Sequence, residues 1–310
     1  MRRVVCLHAL AHTLVASNEV PVILNRHAGG GRSADAEALG AAFRDAGLET
    51  RVNTFARGEE IRKLARRALR ERPPVLVAAG GDGTVSAVAD VVRGSGTALG
   101  VIPVGTLNHF ARDLGIPLDP AEAARVIAAG RRVGVDVGEV NGRAFINNAS
   151  LGLYADLVRK RKRQQRHLRR SKRMAMLWAA LEVLDRSRLL DLRLELEHQV
   201  QECRAPFVFV GNNNYVLEGF DIGKRERLDA GLLNVYTTRR SSAAGLLGLA
   251  LRALFGGLRQ ADDFTESAVR SLRVESRHRR LLVATDGELH AMDTPLEFRI
   301  RPRALEVIVP

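Results

Sequence analysis

The first 130 residues alternate between short apolar runs and stretches in which apolar positions recur at helical spacing. The apolar runs predict four strands, at Val20–Leu24, Thr50–Phe55, Pro74–Ala79 and Ala98–Ile102. The stretches between them predict helices from about Ala34 to Ala46 with Ser33 as N-cap, from Glu59 to Leu69, and from Val85 to Val92. This alternation indicates a parallel sheet covered by helices, and such sheets bind ligands at the carboxyl ends of their strands.

Beyond about residue 132 the pattern changes to shorter apolar segments that are typical of a β-rich domain. They predict strands at Val133–Val140, Arg143–Asn148, Leu189–Leu196, Pro206–Val210, Leu232–Thr238, Val269–Val274, Leu281–Ala284, Leu296–Ile300 and Leu305–Val309. Two helical stretches interrupt them, and we interpret the apolar positions of the first as core packing. The predicted organisation is an N-terminal extension (1–19), an α/β nucleotide-binding domain (20–132) and a β-rich substrate domain (133–310). The last strand of the third segment could return to the first domain.

A glycine motif follows the third predicted strand directly. It consists of Gly80, Gly81, Asp82, Gly83 and Thr84, and a predicted helix begins immediately after it. Glycines let backbone N–H groups approach a polyphosphate without interference from Cβ atoms, and a helix N-terminus attracts anions. A tight turn is the alternative explanation, since Gly-Asp-Gly is common in turns. The setting between strand and helix favours phosphate binding.

Polar or glycine-rich segments follow all four strands of the predicted parallel sheet. Asn25 and a run of glycines follow the first strand, Thr54 lies at the end of the second, the Gly80 motif follows the third, and residues 103–108 follow the fourth. Because the carboxyl ends of parallel strands meet at one edge of a sheet, we expect these four segments to form one site.

The positive charge of the chain is concentrated in one segment. The net charge is +13, and ten Lys and Arg lie within residues 159–173 without any acidic residue, which leaves +3 for the rest of the chain (13 minus 10). A dense basic patch favours a polyanionic partner. We expect an anionic membrane surface rather than nucleic acid, with a solvated loop as the alternative.

The N-terminus and the cysteines favour a cytoplasmic protein. Residues 1–16 have some features of a short secretory signal, but two histidines and a short apolar core favour an N-terminal extension. Cys6 and Cys203 lie far apart without metal-ligand spacing, which fits a reducing compartment. No segment reaches the roughly 18 apolar residues that a membrane-spanning helix needs.

The order of these motifs resembles a known family. The first glycine loop after Asn25, the Gly80–Thr84 motif, the segment Pro103–Arg112 and the sequence Thr285-Asp286-Gly287-Glu288 are similar to the diacylglycerol kinase catalytic-domain family. Within it, the chain is most similar to bacterial soluble lipid kinases related to sphingosine kinases. The resemblance extends from about residue 20 to residue 310.

The resemblance implies an NAD-kinase-like α/β nucleotide domain, a C-terminal β-sandwich and an active site in the cleft between them. It implies ATP as phosphoryl donor, Mg²⁺, and a lipid hydroxyl as acceptor, with a role in phospholipid biosynthesis at the inner membrane face. Nucleotide-contacting positions of the family match Thr54, Gly80, Gly81, Asp82, Gly83, Thr84 and Thr106. Asn25 and Asn108 match polar loop ends that hold the nucleotide site together. The resemblance leaves open whether the protein forms a homodimer.

Carboxylates near the C-terminus supply candidate proton acceptors. Asp286 and Glu288 follow an apolar strand, so that a turn would hold them in place. Phosphoryl transfer to an alcohol needs a group that accepts the hydroxyl proton. Glu288 is the first choice and Asp286 the second. Asp82 is the third, because related sphingosine kinases place the acid in the glycine loop, but we favour it as an organiser of Mg²⁺ or phosphate.

Two departures from the family pattern affect these assignments. His109 stands where an Asp is common, and we favour a structural role for it. The second metal-associated motif of the family reads Asp229-Ala230-Gly231, so Asp229 must reach the ion if that ion is kept. Two alternative functions stay open. One is an NAD kinase or another small-molecule kinase on the same scaffold, and the other is a non-catalytic membrane- or nucleotide-sensing module.

Overall fold

Four parallel strands form the core of the N-terminal half. The computed structural model describes residues 19–26, 35–152, 189–197, 199–215, 225, 227–238 and 264–310. The strands are β1 (Val20–Asn25), β2 (Thr50–Phe55), β3 (Val75–Gly80) and β4 (Ala98–Pro103), in the spatial order β2-β1-β3-β4. Every residue of β3 and β4 is buried, which explains their continuous apolar sequences. The predicted parallel sheet is confirmed.

Five helices follow or cover these strands in the described residues: α1 (Ala36–Asp45), α2 (Glu59–Leu69), α3 (Asp82–Val92), α4 (His109–Asp113) and α5 (Pro120–Ala129). The side chain of Asp35, rather than the predicted Ser33, caps α1 by accepting a hydrogen bond from the Glu37 amide at 2.9 Å. Asp119 caps α5 in the same way.

The sheet of the N-terminal half continues into strands from the C-terminal half. The long strand β16 (Leu296–Ile308) pairs in parallel with β4 and antiparallel with β5 (Arg132–Val140). The remaining strands of this ten-stranded mixed sheet are β6 (Arg143–Phe145), β8 (Leu190–Leu196), β9 (Gln199–Ala205) and β13 (Ser271–Ser276). The two strands predicted at Leu296–Ile300 and Leu305–Val309 are therefore one strand. Its register shifts between Arg301 and Leu305, where Pro302 has no N–H to pair.

The second sheet is entirely antiparallel and belongs to the C-terminal half. Its six strands are ordered β12 (Phe264–Val269), β11 (Leu233–Thr238), β10 (Phe207–Asn212), β7 (Asn148–Gly152), β14 (Arg280–Thr285) and β15 (Glu288–Asp293). A separate hydrophobic core lies between this sheet and the C-terminal strands of the first one, and in it the rings of Phe145 and Phe298 meet edge to face at 6.5 Å. The predicted combination of an α/β part and a β-sandwich is confirmed.

Two predicted strands are interrupted for identifiable reasons. The segment predicted as one strand at Arg143–Asn148 breaks after Phe145, because the amides of Ile146 and Asn147 donate to the Asp286 carboxylate instead of to a neighbouring strand. The segment predicted at Val269–Val274 breaks at Arg270, whose amide donates to the Glu197 carboxylate at 2.5 Å. Strands β9 and β15 were not predicted, and the predicted strands include only Asn148 of β7 and only Val269 of β12. In β9 and β12, exposed polar residues mask an apolar pattern.

Several predictions lie outside the described residues. These are the N-terminal extension apart from residue 19, most of the first glycine loop, the basic segment 159–173 and the two helical stretches of the C-terminal part. Among the helices that the structure describes, none combines the length and hydrophobicity that crossing a membrane would require.

Candidate active site

The Gly80 motif forms the junction between β3 and α3. The carbonyl of Gly81 accepts hydrogen bonds from the amides of Thr84 and Val85, at 2.9 and 3.1 Å, and so starts the helix. A Cβ atom at Gly80 would lie 2.4 Å from Thr84 Oγ1, so this position requires glycine. Within the described residues no side chain caps α3. Since Thr84 and Val85 use their amides within the turn, the amides of Asp82 and Gly83 are the first-turn donors that point to an anion site.

The loop after β4 packs directly against this motif. A Cβ atom at Gly105 would lie 2.3 Å from the Cα atom of Gly81, so the two backbones are in close contact. Asn108, in the left-handed conformation with φ of 51°, shapes the loop. Its Nδ2 donates to the carbonyl of Gly105 at 2.9 Å, and its Oδ1 accepts from the Gly105 amide at 3.0 Å. Asn108 therefore holds the loop rather than facing a ligand.

Substituting Gly105 tests this contact. We expect Gly105→Ala to push the two loops apart and to weaken ATP binding by about tenfold or more, since sub-ångström misplacement of phosphate-binding amides removes charge-assisted hydrogen bonds. Titration calorimetry with ATP measures the change. Gly58→Ala is the matched control, because a Cβ atom there meets nothing within 4 Å. Equal ATP affinity in both variants would show that the contact between the loops is unimportant.

The other predicted nucleotide positions lie at the same edge of the sheet. Asn25 ends β1 and is half-buried, whereas Thr54 in β2 and Thr106 after β4 are exposed. Asp82 begins α3, and its Oδ1 accepts from the Phe110 amide at 3.4 Å, which links α3 to α4. Gly83 follows it in the first turn and is exposed. The structure thus brings the predicted nucleotide residues to one edge of the parallel sheet.

Asp286 lies in a two-residue hairpin turn between β14 and β15. Asp286 and Gly287 have φ values of 47° and 79°, which matches the turn type that Asp-Gly favours. Asp286 is half-buried, and its carboxylate accepts from four donors: the Ser86 hydroxyl at 2.5 Å and the amides of Ile146, Asn147 and Asn148 at 2.8, 2.8 and 3.1 Å. Burial raises the pKa of Asp286, and these hydrogen bonds oppose the rise.

The surroundings of Asp286 suit a positioning role better than proton transfer. Both of its oxygens are already hydrogen-bonded, and Ser86 belongs to α3 while the three amides belong to the C-terminal half. The carboxylate therefore fixes the hairpin turn against the helix that begins at the Gly80 motif. That placement also fixes the start of β15, two residues further along the chain.

Glu288 begins β15 and faces α2. Its Oε2 lies 3.4 Å from Arg62 Nη1 and 3.8 Å from His290 Nε2, and about a third of its side chain is exposed (34%). Arg62 also donates to Asp90 on α3, at 3.2 Å. Of the two C-terminal carboxylates, Glu288 has one-third of its side chain exposed, whereas both oxygens of Asp286 are occupied by hydrogen bonds. The sequence did not identify Arg62 as part of the site. The one feature that pointed to it was the basic character of α2.

A buried polar cluster joins α4 to the C-terminal half, and the sequence did not reveal it. The guanidinium of Arg225 has no exposed side-chain surface and lies 2.8 Å from Asp113 Oδ2. It also donates to the Ile146 carbonyl at 2.6 Å and to Asn147 Oδ1 at 2.8 Å. The guanidinium of Arg225 lies over the ring of Tyr215, with its central carbon 5.3 Å from the ring centre. Burial raises the pKa of Tyr215 to about 12. The runs of asparagine at 147–148 and 212–214 were the available signal.

The turn at Asp229 does not offer the donors of a magnesium site. Arg227 Nε lies 3.1 Å from Asp229 Oδ1, and this hydrogen bond lowers the pKa of Asp229. Ala230 has no side-chain oxygen, and the nearby Asp136 carboxylate accepts the amides of Gly231 and Arg303 at 2.6 and 2.9 Å. No group of three His, Cys, Asp or Glu side chains suited to a metal occurs in the part of the chain that the structure describes. The role of Asp229 as a metal ligand stays a prediction, and in this structure its carboxylate pairs with Arg227.

Comparison with known proteins covers almost the whole chain. Residues 19–140 match the diacylglycerol kinase catalytic domain, and residues 150–309 match the YegS C-terminal NAD kinase beta sandwich-like domain. A probable lipid kinase YegS-like of Pseudomonas aeruginosa is 31% identical over 293 residues, which cover 93% of this chain and 94% of the relative. A diacylglycerol kinase of Staphylococcus aureus is 29% identical over 268 residues, covering 86% and 84%.

Solved structures show the same fold. The crystal structure of a diacylglycerol kinase from Bacillus anthracis has a TM-score of 0.66 with 20% identity, and the match covers 94% of this chain and 97% of that one. The paired family domains, the relatives and the shared architecture agree with the resemblance found in the motifs. The chain belongs to the diacylglycerol kinase catalytic-domain family and is a kinase of its lipid kinase group.

Proposed function

We propose that this chain is an ATP- and Mg²⁺-dependent lipid kinase that transfers the γ-phosphoryl group to a lipid hydroxyl, such as that of diacylglycerol or a sphingoid base. The observation that carries this proposal is the hydrogen bond between Ser86 and Asp286. It holds the turn before Glu288 against α3, whose first turn is the Gly80 motif. A phosphate-binding helix end and an accessible carboxylate therefore lie on adjoining elements.

The residues divide the chemistry between the two halves. The amides of the Gly80 motif bind the phosphates of ATP, while Thr54 and Thr106 offer exposed hydroxyls at the same edge. Glu288 accepts the proton of the acceptor hydroxyl while the oxygen of that hydroxyl bonds to the γ-phosphorus. The bond between this phosphorus and the bridging oxygen breaks, and ADP leaves with that oxygen. Asp286 and Arg62 position Glu288, through the hairpin turn and the ion pair.

Asp82 is the residue that suits a magnesium ion. Mg²⁺ is commonly bound by one or two carboxylates together with the phosphates of its nucleotide, and Asp82 is a half-buried carboxylate in the phosphate-binding motif. When bound, the ion neutralises charge on the transferring group. The donors near Asp229 do not provide a second ion site of this kind.

The lipid acceptor places the reaction at a membrane surface. We expect docking at the inner face through the basic residues 159–173, at about 1 kcal/mol per Lys or Arg near an anionic surface. That segment lies outside the described residues, so the docking function rests on its sequence alone.

Transfer of radiolabelled γ-phosphate from ATP to a panel of acceptors tests the proposal. The panel holds diacylglycerol, a sphingoid base, ceramide and, as a non-lipid acceptor, NAD. We expect Mg²⁺-dependent label in a lipid product. Label in NAD alone would replace the proposal with an NAD kinase, and label in no acceptor, by a protein that binds ATP, would remove it.

A further inference from the structure

A basic surface cavity lies between α2 and α3, and neither the Gly80 motif nor Glu288 lines it. Its volume is about 420 Å³, within the range of roughly 300–1,000 Å³ typical of small-molecule sites. One arginine on α2, one directly after α2 and one directly after α3 dominate its wall, together with two apolar side chains. The lining residues that matter for its charge and shape are Arg66, Leu69, Arg70, Val91 and Arg93.

Arg93 forms a fixed part of this wall. Its guanidinium donates to Asp90 at 3.4 Å, to Glu139 at 2.9 Å and to the Gly142 carbonyl at 3.0 Å. Asp90, the one acid of the lining, is shared with Arg62 at 3.2 Å. The carboxylate of Asp90 is therefore already paired with two arginines, Arg62 and Arg93.

Arg66 and Arg70 have no such partners. Arg66 lies on α2, and Arg70 directly follows the helix, one turn further along. Both are exposed and form no ion pair or side-chain hydrogen bond with any residue that the structure describes. Like charges four residues apart destabilise a helix by a few tenths of a kcal/mol. An anion in the cavity would reduce the repulsion between Arg66 and Arg70, and the positive charge of Arg93 would also attract it.

We propose that this cavity binds a phosphate group, carried by a phospholipid headgroup or free in solution. Guanidinium groups present paired N–H donors that match phosphate oxygens. Leu69 and Val91 add apolar surface for the glycerol and upper chain of a lipid. Arg62, one turn before Arg66, lies 3.4 Å from Glu288 and also donates to Asp90 of the lining, so one residue links the cavity to the proposed proton acceptor. Use of the cavity by a headgroup rests on the proposed lipid kinase function.

The test compares two double variants of the same helix. Arg66→Gln with Arg70→Gln removes the unpaired charges of the cavity. Lys63→Gln with Arg67→Gln removes the same charge from exposed positions of α2 that do not line it. Calorimetric titration with inorganic phosphate and, separately, with monomeric dihexanoyl phosphatidic acid measures binding to each protein.

We expect the cavity variant to bind about tenfold more weakly or worse, the loss expected when hydrogen bonds to charged groups are removed, and the control to bind as the wild type does. Tighter binding of dihexanoyl phosphatidic acid than of phosphate identifies a lipid site, and equal binding identifies a site for free phosphate. An unchanged cavity variant, or an equal loss in both variants, overturns the proposal.

Kinase activity separates this inference from the proposed function. The wild type and both variants are assayed for ATP-dependent transfer to diacylglycerol presented in a neutral detergent. If the wild type transfers phosphate but does not bind either probe at the cavity, only the phosphate site is wrong. If it binds the probes at the cavity but transfers nothing to any acceptor, the cavity stands as a phosphate site and the lipid kinase function fails.

Discussion

Replacing Glu288 with glutamine should lower the rate of lipid phosphorylation by about 10²- to 10⁴-fold, the usual contribution of a general base. The amide keeps the shape of the side chain and a possible contact with Arg62, but it cannot take the proton of the acceptor hydroxyl. Glu288 is one-third exposed, so the fold should tolerate the change. Initial rates of γ-phosphate transfer, with ATP affinity measured in parallel, give the result.

Two comparisons make the Glu288 experiment decisive. Glu202→Gln on the exposed strand β9 removes a carboxylate far along the first sheet and should leave the rate unchanged. The Glu288 variant should bind ATP as the wild type does, because no predicted nucleotide contact is altered. A rate within threefold of the wild-type rate would exclude Glu288 as the proton acceptor, and a joint loss of ATP binding would point to misfolding.

The largest loss of stability is expected from Arg225→Met. It removes one partner of a buried ion pair and leaves the Asp113 carboxylate, 5% exposed, without its guanidinium. Breaking a buried pair in this way costs about 3–5 kcal/mol of unfolding free energy. Urea denaturation of the variant and the wild type measures the difference.

A neighbouring arginine provides the matched control for that measurement. Arg227 also pairs with an aspartate, but its side chain is 69% exposed. Arg227→Met should cost no more than about 1 kcal/mol, as is usual for surface ion pairs. Adding Asp113→Asn to Arg225→Met should restore part of the loss, because no unpaired charge is then buried. Equal costs at Arg225 and Arg227 would contradict the importance of the buried cluster.

The parts of the fold that the sequence predicted are those with a local signal. The runs of β3 and β4 are apolar throughout because both faces are buried, and the glycines at 80 and 81 mark a strand that turns into a helix. Once the strands are known to be parallel, their carboxyl ends must lie at one edge of the sheet, and no knowledge of distant contacts is needed to predict this. The edge of the nucleotide site therefore followed from the sequence.

The remaining parts depend on partners that are distant in sequence. Asp286 accepts hydrogen bonds from residue 86 and residues 146–148, and the sequence near position 286 gives no sign of these donors. Arg225 likewise meets Asp113 from more than a hundred positions away. Local composition suggested that Asp286 could serve as a base. The contacts of Asp286 instead show a side chain occupied in holding two halves together.

The position of β16 has a consequence for biosynthesis. Strand β4 ends at Pro103, but β16, its neighbour on the side away from β3, comes from residues 296–308. While the chain emerges from the ribosome, β4 is thus an open sheet edge throughout the synthesis of the C-terminal half. Open edges recruit other strands, and pairings between distant segments form slowly. We therefore expect the yield of native protein to depend on how well that edge is protected during this interval, by a chaperone or by other parts of the chain.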